Sequence, residues 1–511
     1  MQLLGHVFGI VNNRCKTAPV IIGWGPYGKH LMPAVWFPGS DVRPEWISKY
    51  AIFESPDPLY WTRHGYAVIN VDPRGLWMSE GTMRGIMNSA EAEDVHDLIE
   101  WAGQQEWSNG KVGMTGVSYF AIIEWFAAAT RPSHLAAISP WEGFSDRYRE
   151  GVYHGGILET GLNGRWWTRY AKASLSETED GWAMMHKYHV WSDYWADGVA
   201  DLEKIEVPAY IVASWTDQGL HTRGTLEGFK RIASKHKWLE VHGRKKWEYQ
   251  YQPENVERLR LFFDRFLKGM DNEVSQWPKV RLEVRERAYV GEFRAEEEWP
   301  IARTKYQRLY LDAGANQLSE SSVATESEVR YNSEVQESRA AFDYQFDHDT
   351  ELIGHMRLHL WVEADAAEDM DLFIAVDKID RDGNRVNFPW FGMHMDGHVA
   401  LGWLRVSHRE LDETRSTEYQ PWLKHERQLK LKPGEIVPVD IEIWPSGTLF
   451  RRGEKLRLSI QGSDPYRYPP ETIVIAHAET INTGEHIVRT GGRYDSYLVV
   501  PVIPSKQLAT S

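Results

Sequence analysis

One serine stands where a strand-like pattern changes abruptly into a helical one, and this break constrains the fold more than any other feature. Residues 111–115 are rich in strand-forming residues, Gly116, Val117 and Ser118 follow, and residues 122–129 form an apolar helical run. A strand that turns sharply into a helix strains the backbone at the apex and pushes the apical side chain outward. The pattern predicts a nucleophile elbow with Ser118 at its tip.

The residues around this turn partly follow the usual elbow. Gly116 suits the approach to the turn, because a side chain there would collide with the entering strand. The glycine that usually closes the turn is absent, since Phe120 stands two residues after the serine. A lone Gly-x-Ser tripeptide is common by chance, so the prediction depends on the strand and helix on either side.

The periodicity divides the chain into three parts. Short apolar strands alternate with helical patterns before residue 145 and again over 200–272, which predicts a parallel sheet. Residues 146–199 are helical in pattern and rich in Trp, Tyr and His. From 273 to 511, alternating strands and Gly, Pro and Asp turns predict a β-sandwich, with a polar loop over 317–338. We therefore expect an α/β-hydrolase domain (1–145 and 200–272), a helical cap insert (146–199) and a C-terminal jelly roll (273–511).

Composition restricts the partners and the compartment. A chain of 511 residues is too long for one core. Its formal net charge of -15 argues against nucleic-acid and anionic-membrane partners. Cys15 is the only cysteine, which excludes an internal disulfide and suits a reducing compartment. Nowhere are there 18 uninterrupted apolar residues, so we expect no membrane span and a cytoplasmic location. The sequence is compatible with a homo-oligomer.

A serine nucleophile needs a base and an acid that orients the base. In this fold the chain order is Ser, then Asp or Glu, then His. Asp217 follows a predicted strand over 208–213, where such an acid belongs. For the base we favour His242, at the end of the next predicted strand. His221, four residues after Asp217, is an alternative, although a pocket-lining role suits it better.

Several segments of the chain together resemble the motifs of a known enzyme family. The chain looks like a cocaine-esterase-like acyl hydrolase, related to the X-prolyl dipeptidyl peptidases, glutaryl acylases and α-amino-acid ester hydrolases. The matching segments include Pro26-Tyr27-Gly28-Lys29, Asp72-Pro73-Arg74-Gly75, Ser79-Glu80-Gly81, Gly116-Val117-Ser118-Tyr119, Asp146-Arg147-Tyr148-Arg149 and Tyr153-His154-Gly155-Gly156.

The resemblance implies roles for several residues. Ser118 would be the nucleophile and Asp217 the acid, while the backbone N–H of Tyr119 and the hydroxyl of Tyr27 would form the oxyanion hole. The family usually places its histidine about five residues beyond the last strand, where this chain has Lys246. The base is therefore open between His242, which we favour, His221 and Lys246.

Three functions remain open at this stage. The first is a serine hydrolase of small-molecule esters or amides that works through an acyl-enzyme. The second is an exopeptidase that releases Xaa-Pro dipeptides, with acids such as Glu150, Glu159 or Asp193 holding the free N-terminus. The third is a degenerate, non-catalytic binder of the same fold. His394 and His398 are too weak a signal for a metal, and we expect no cofactor.

Overall fold

The structure is a computed structural model that describes residues 3, 5–9, 17–30, 38–167, 174–469 and 471–504. Cys15 lies outside these residues. The strands up to residue 272 are β1 (Gly5–Phe8), β2 (Ala18–Trp24), β3 (Ala67–Val71), β4 (Ser108–Val117), β5 (Leu135–Trp141), β6 (Tyr153–His154), β7 (Ile157–Leu158), β8 (Ala209–Ser214) and β9 (Lys237–His242).

The helices belong to the same part of the chain. They are α1 (Pro58–Arg63), α2 (Ser89–Gly103), α3 (Tyr119–Ala129), α4 (Gly181–Lys187), α5 (Asp193–Ala196), α6 (Thr222–Arg231), α7 (Lys246–Tyr251) and α8 (Pro253–Lys268). A π-helical segment spans Arg147–Val152, and single 3₁₀ turns lie at Pro44–Trp46, Leu202–Lys204, Glu273–Gln276 and Val406–His408. Among the described residues, no helix is long and apolar enough to cross a membrane.

The rest of the chain is rich in strands. These are β10 (Val280–Arg287), β11 (Val290–Glu296), β12 (Lys305–Asp312), β13 (Gln317–Ser319), β14 (Ser327–Asn332), β15 (Arg339–Gln345), β16 (Thr350–Ala364), β17 (Asp371–Ile379), β18 (Arg385–Val386), β19 (Phe388–Trp390), β20 (His394–Gly397), β21 (Ala400–Arg405), β22 (Val437–Phe450), β23 (Lys455–Gln461), β24 (Glu485–Thr490) and β25 (Tyr497–Ile503). The prediction of a polar loop over 317–338 is wrong, because the strands β13 and β14 lie within this segment.

A largely parallel sheet forms the centre of the first part. Its strands lie in the order β1–β3–β2–β4–β5–β8–β9–β10–β11, and every neighbouring pair from β3 to β10 is parallel. The inner strands are almost wholly buried, which explains their continuous apolar runs. Because the carboxyl ends of parallel strands lie at the same edge of a sheet, the residues that follow these strands meet at that edge. The strands concerned are β2, β4, β5, β8 and β9.

The chain between β5 and β8 leaves this sheet and returns to it. It contains the π-helical segment, the β6–β7 hairpin, α4 and α5, with residues 168–173 outside the described part. The β-rich part has its own apolar core, between pairings such as β16–β22 and β17–β23. It continues from the central sheet through β10, which pairs with both β9 and β22.

Candidate active site

Ser118 lies at the apex of the turn between β4 and α3. Its backbone has φ 59° and ψ -117°, a conformation that residues other than glycine rarely adopt. The strain is held in place because the Ser118 N–H donates to the carbonyl oxygens of Trp141 and Glu142, both at 3.1 Å. A Cβ on Gly116 would stand 2.3 Å from the Cβ of Phe120. Gly116 is thus what allows Phe120 to take the place of a closing glycine.

The serine hydroxyl contacts an imidazole that is held by a carboxylate. Ser118 Oγ lies 3.2 Å from Nε2 of His221, and Nδ1 of His221 is hydrogen-bonded to Oδ2 of Asp217. Asp217 follows β8, and the turn after it brings His221 back toward the serine just before α6 begins. The side chains of His221 and Asp217 are each about 1% exposed. The structure therefore brings together Ser118, His221 and Asp217.

His242 does not lie beside Ser118, so the prediction that it contacts the serine is wrong. Its Nε2 lies 3.0 Å from Oε1 of Glu142, and its ring stacks on Tyr249 with a centroid distance of 3.8 Å. His242 ends β9, three strands away from β4, which corresponds to roughly 14 Å at the usual strand spacing. A side chain at that position reaches the end of β5 but not the serine.

Lys246 begins α7 on the far side of Asp217. Its Nζ lies 3.0 Å from Asp217 Oδ2 and 3.5 Å from His221 Nδ1. Burial alone would raise the pKa of Asp217, but the Lys246 ammonium and His221 hold it well below its usual value. Burial lowers the pKa of His221, which Asp217 opposes and Lys246 reinforces. The site thus contains a firmly ionised carboxylate and an imidazole that stays neutral at neutral pH.

The two predicted oxyanion residues both border the serine. Tyr27 follows β2, packs against Phe53 at a centroid distance of 4.9 Å, and shares a side-chain hydrogen bond with Glu54. Tyr119 is the first residue of α3, and its hydroxyl donates to both carboxylate oxygens of Glu91 at 2.8 Å. The phenol hydroxyl of Tyr119 is thus engaged by Glu91, which leaves its backbone N–H as the candidate oxyanion donor.

A cavity of about 150 Å³ opens at Ser118 and His221. Its wall is mainly apolar and aromatic and includes Phe53, Phe144, Leu162, Trp166, Met185 and Trp247. The chain between β5 and β8 supplies one side of this wall, and Phe391 and Ile473 of the β-rich part supply another. Three segments of the chain that are far apart in sequence therefore build one cavity.

Two of the three acids considered for binding a free amine have other partners. Glu150 accepts the backbone N–H groups of Ser145 and Asp146 at 2.7 and 2.9 Å and pairs with Arg223 at 2.5 Å. Glu159 accepts backbone N–H groups of the loop that follows it. None of Glu150, Glu159 and Asp193 lines the cavity. In the described part of the chain, no group of three or more His, Cys, Asp or Glu could hold a metal ion.

The sheet, the strained serine, and the imidazole and carboxylate behind it define an α/β-hydrolase of the serine type, followed by a β-rich domain. The crystal structure of a CocE/NonD family hydrolase from Staphylococcus aureus is 42% identical, with a TM-score of 0.95, and covers 98% of this chain and 91% of that chain. The chain therefore belongs to the CocE/NonD family of hydrolases.

Other comparisons agree with this assignment. The sequence family described as X-Pro dipeptidyl-peptidase (S15 family) matches residues 12–187, and the X-Pro dipeptidyl-peptidase C-terminal non-catalytic domain matches residues 272–499. Cocaine esterase from Rhodococcus sp. (strain MB1 Bresler) is 25% identical over 88% of this chain and 90% of its own length. A putative serine esterase from Mycobacterium tuberculosis is 22% identical over 78% of each chain. The protein is a serine hydrolase of esters or amides.

Proposed function

We propose that this protein hydrolyses small-molecule esters through an acyl-enzyme, with Ser118 as nucleophile, His221 as base and Asp217 as the acid that orients the base. The observation that carries the proposal is the hydrogen-bonded series from Ser118 Oγ through His221 to Asp217, at the mouth of an apolar cavity. This series also argues against a degenerate binder, because such a protein has no need for a neutral imidazole aimed at a strained serine.

The chemistry follows from these contacts. His221 Nε2 takes the hydroxyl proton as Ser118 Oγ attacks the ester carbonyl, and the resulting imidazolium is stabilised by Asp217. The tetrahedral intermediate collapses as the imidazolium protonates the leaving alkoxide, which leaves an acyl group on Ser118. Water then attacks this acyl-enzyme with His221 again as base, and the acid is released as Ser118 regains its proton.

Two donors are proposed to stabilise the oxyanion. The backbone N–H of Tyr119 is one of the first N–H groups of α3, which have no partner within the helix and lie at its positive end. The Tyr27 hydroxyl borders the same cavity as Ser118. A phenol is a good donor to a developing alkoxide in a site that excludes water.

Replacing Tyr27 with phenylalanine tests the second donor. The ring contacts with Phe53 and Phe120 remain, while one donor is lost, so we expect a loss of roughly 2.7–4 kcal/mol of transition-state stabilisation. The loss should appear in kcat more than in KM, because the bond forms mainly in the transition state. Steady-state kinetics with an activated ester measures this, and an unchanged kcat would remove Tyr27 from the site.

The neighbour of Tyr27 gives a pH-dependent prediction. Burial raises the pKa of Glu54 to about 8, although the Lys246 ammonium opposes this. Below that pH, protonated Glu54 can donate to the Tyr27 oxygen and leave the phenol hydrogen for the oxyanion; above it, the carboxylate accepts that hydrogen. We therefore expect kcat to fall as pH rises through about 8. In Glu54→Gln the amide cannot ionise, so this alkaline fall should be absent; its persistence would contradict the role of Glu54.

The cavity favours a largely apolar acyl group of modest size. Its volume of about 150 Å³ matches that of apolar protein cavities that bind benzene. A single-ring aromatic acyl group or a short branched one therefore fits, and the name of the Rhodococcus relative, cocaine esterase, is consistent with ester substrates.

Cleavage of Xaa-Pro peptides is the less favoured activity, although the matched S15 family carries that name. An exopeptidase needs an uncommitted acid to hold the free amine, and Glu150 and Glu159 are already engaged. The carboxyl group that does line the cavity belongs to Glu54, which accepts a hydrogen bond from Trp247 at 2.9 Å.

We further propose that residues 146–199 cap this cavity and that residues 273–511 form a jelly roll.

A fluorophosphonate probe gives the direct test. The protein should be labelled, and the modified peptide should carry the probe on Ser118. A panel of p-nitrophenyl esters beside Xaa-Pro-p-nitroanilides then separates the two activities, with acetyl, butyryl and benzoyl esters expected to react faster than any Xaa-Pro anilide. Faster cleavage of the anilides would favour the exopeptidase, and no labelling would refute the serine mechanism.

A further inference from the structure

Lys246 is a charged group that the proposed reaction does not use. Its side chain is 3% exposed, and its Nζ donates to the same oxygen of Asp217 that holds His221. The other oxygen, Asp217 Oδ1, is buried and has no hydrogen-bond partner among the described residues. Lys246 and His221 are therefore the side chains that fix the orientation of the Asp217 carboxylate.

Lys246 stays protonated in these surroundings. Burial alone would lower the pKa of Lys246, but nearby acids, the Asp217 carboxylate foremost, raise it above its usual value. An ammonium cannot accept the serine proton, and its hydrogen bond goes to Asp217 rather than to Ser118. Lys246 is thus a fixed positive charge behind the imidazole and not a second base.

We propose that Lys246 is a positioning residue that holds Asp217 in the orientation His221 needs, and that its charge lowers the pH below which His221 becomes protonated and stops acting as the base. The proposal rests on the function proposed above. It assigns Lys246 a role that acts through Asp217 and His221, beside its place in the cavity wall.

The charges that face His221 determine whether Lys246 raises or lowers the pH at which His221 becomes protonated. Asp217, on the same turn, and Glu142, beyond the end of β5, both favour the imidazolium, whereas Lys246, 3.5 Å from Nδ1, disfavours it. Arg223, two residues further on, is neutralised by Glu150 and Glu442. The ammonium therefore moves the protonation of His221 to lower pH. It also makes the imidazolium a stronger acid, which helps it protonate the leaving group.

The test is the acid limb of activity in Lys246→Met, which keeps most of the length of the side chain and removes its charge. We expect the acid limb of kcat/KM for a p-nitrophenyl ester to move upward by about 1–3 pH units, as expected for loss of a charge within a few ångströms. The pH dependence of fluorophosphonate labelling at Ser118 should move with it. Lys246→Arg, which keeps the charge, should leave the limb near its wild-type position.

The neighbouring lysine is a matched control. Lys245 is equally buried, but its Nζ binds Asp41 and the Gly39 carbonyl, both at 2.6 Å, away from His221. Lys245→Met should leave the acid limb unmoved even if it lowers stability. A limb that shifts equally in both variants would show a general loss of structure and overturn the proposal.

Other outcomes are equally decisive. If Lys246→Met is labelled at Ser118 and its acid limb coincides with that of the wild type, the proposal is wrong. If that variant does not fold, Lys246→Gln, which removes the charge and keeps an N–H donor for Asp217, is measured in its place, and its acid limb should also move upward. An acid limb of Lys246→Gln that coincides with that of the wild type overturns the proposal. Failure of the wild type to be labelled at Ser118 would instead refute the proposed function.

Discussion

Replacing Ser118 with alanine should lower kcat for ester hydrolysis by about 10³ to 10⁶-fold while the fold is retained. Without Oγ there is no nucleophile, and His221 has no hydroxyl from which to take a proton. Water positioned in the cavity and the oxyanion donors can supply only a small residual rate. Steady-state kinetics measures the loss, and the absence of a fluorophosphonate-labelled peptide in the variant confirms its origin.

The fold should survive this change for a local reason. The strained backbone at residue 118 is held by N–H contacts to the carbonyls after β5, which alanine keeps. The hydroxyl makes one hydrogen bond, to His221, so its loss costs about 1 kcal/mol. Thermal unfolding should therefore show a small shift in Tm. Retention of most activity in a properly folded Ser118→Ala protein would exclude the acyl-enzyme at this residue.

Much of the fold was predictable because local signals agreed with the tertiary structure. The helix α8 illustrates this: Pro253 opens it, and Gly269, with φ 72°, ends it in the left-handed conformation. The elbow was predictable for the same reason, since the strand, the glycine and the helix lie within twenty residues of one another. In both cases neighbouring residues alone determine the conformation.

Strand pairing between distant segments was harder to predict. Residues 317–338 look like a loop because polar residues predominate, yet β14 pairs along its length with β24, more than 150 residues away. Its burial alternates and only Tyr331 is fully buried, which is typical of a strand with one face in solvent. Pairing with β24 therefore stabilises a strand that the local sequence does not indicate.

The predicted position of His242 beside Ser118 was wrong because the order of strands in a sheet cannot be read from a linear sequence. His242 and Asp217 both follow strands, but β9 lies too far along the sheet for His242 to reach Ser118. The useful signal was the spacing of four residues from Asp217 to His221, which places two side chains on one face of a turn. Glu54 carries no such signal, because it reaches Tyr27 and Lys246 only through the tertiary fold.

Replacing His221 with alanine should lower kcat about as much as loss of the serine, by about 10³ to 10⁶-fold, because residues of such a series act as a unit. Ser118 would keep its proton, and Asp217 would still be ionised through Lys246. The variant leaves a space of imidazole size beside Ser118, so added imidazole should restore part of the activity. Kinetics with and without imidazole measures both effects.

His242→Ala is the matched control for this prediction. Both histidines are buried and each contacts a carboxylate, but His242 pairs with Glu142 and not with the serine. Its loss leaves a buried carboxylate without that partner and should cost about 1–3 kcal/mol of stability. At temperatures where the variant is folded, its kcat should stay within about tenfold of wild type, since a single strained loop can shift a reacting group slightly. A folded His242→Ala protein without activity, beside an active His221→Ala protein, would return the role of base to His242.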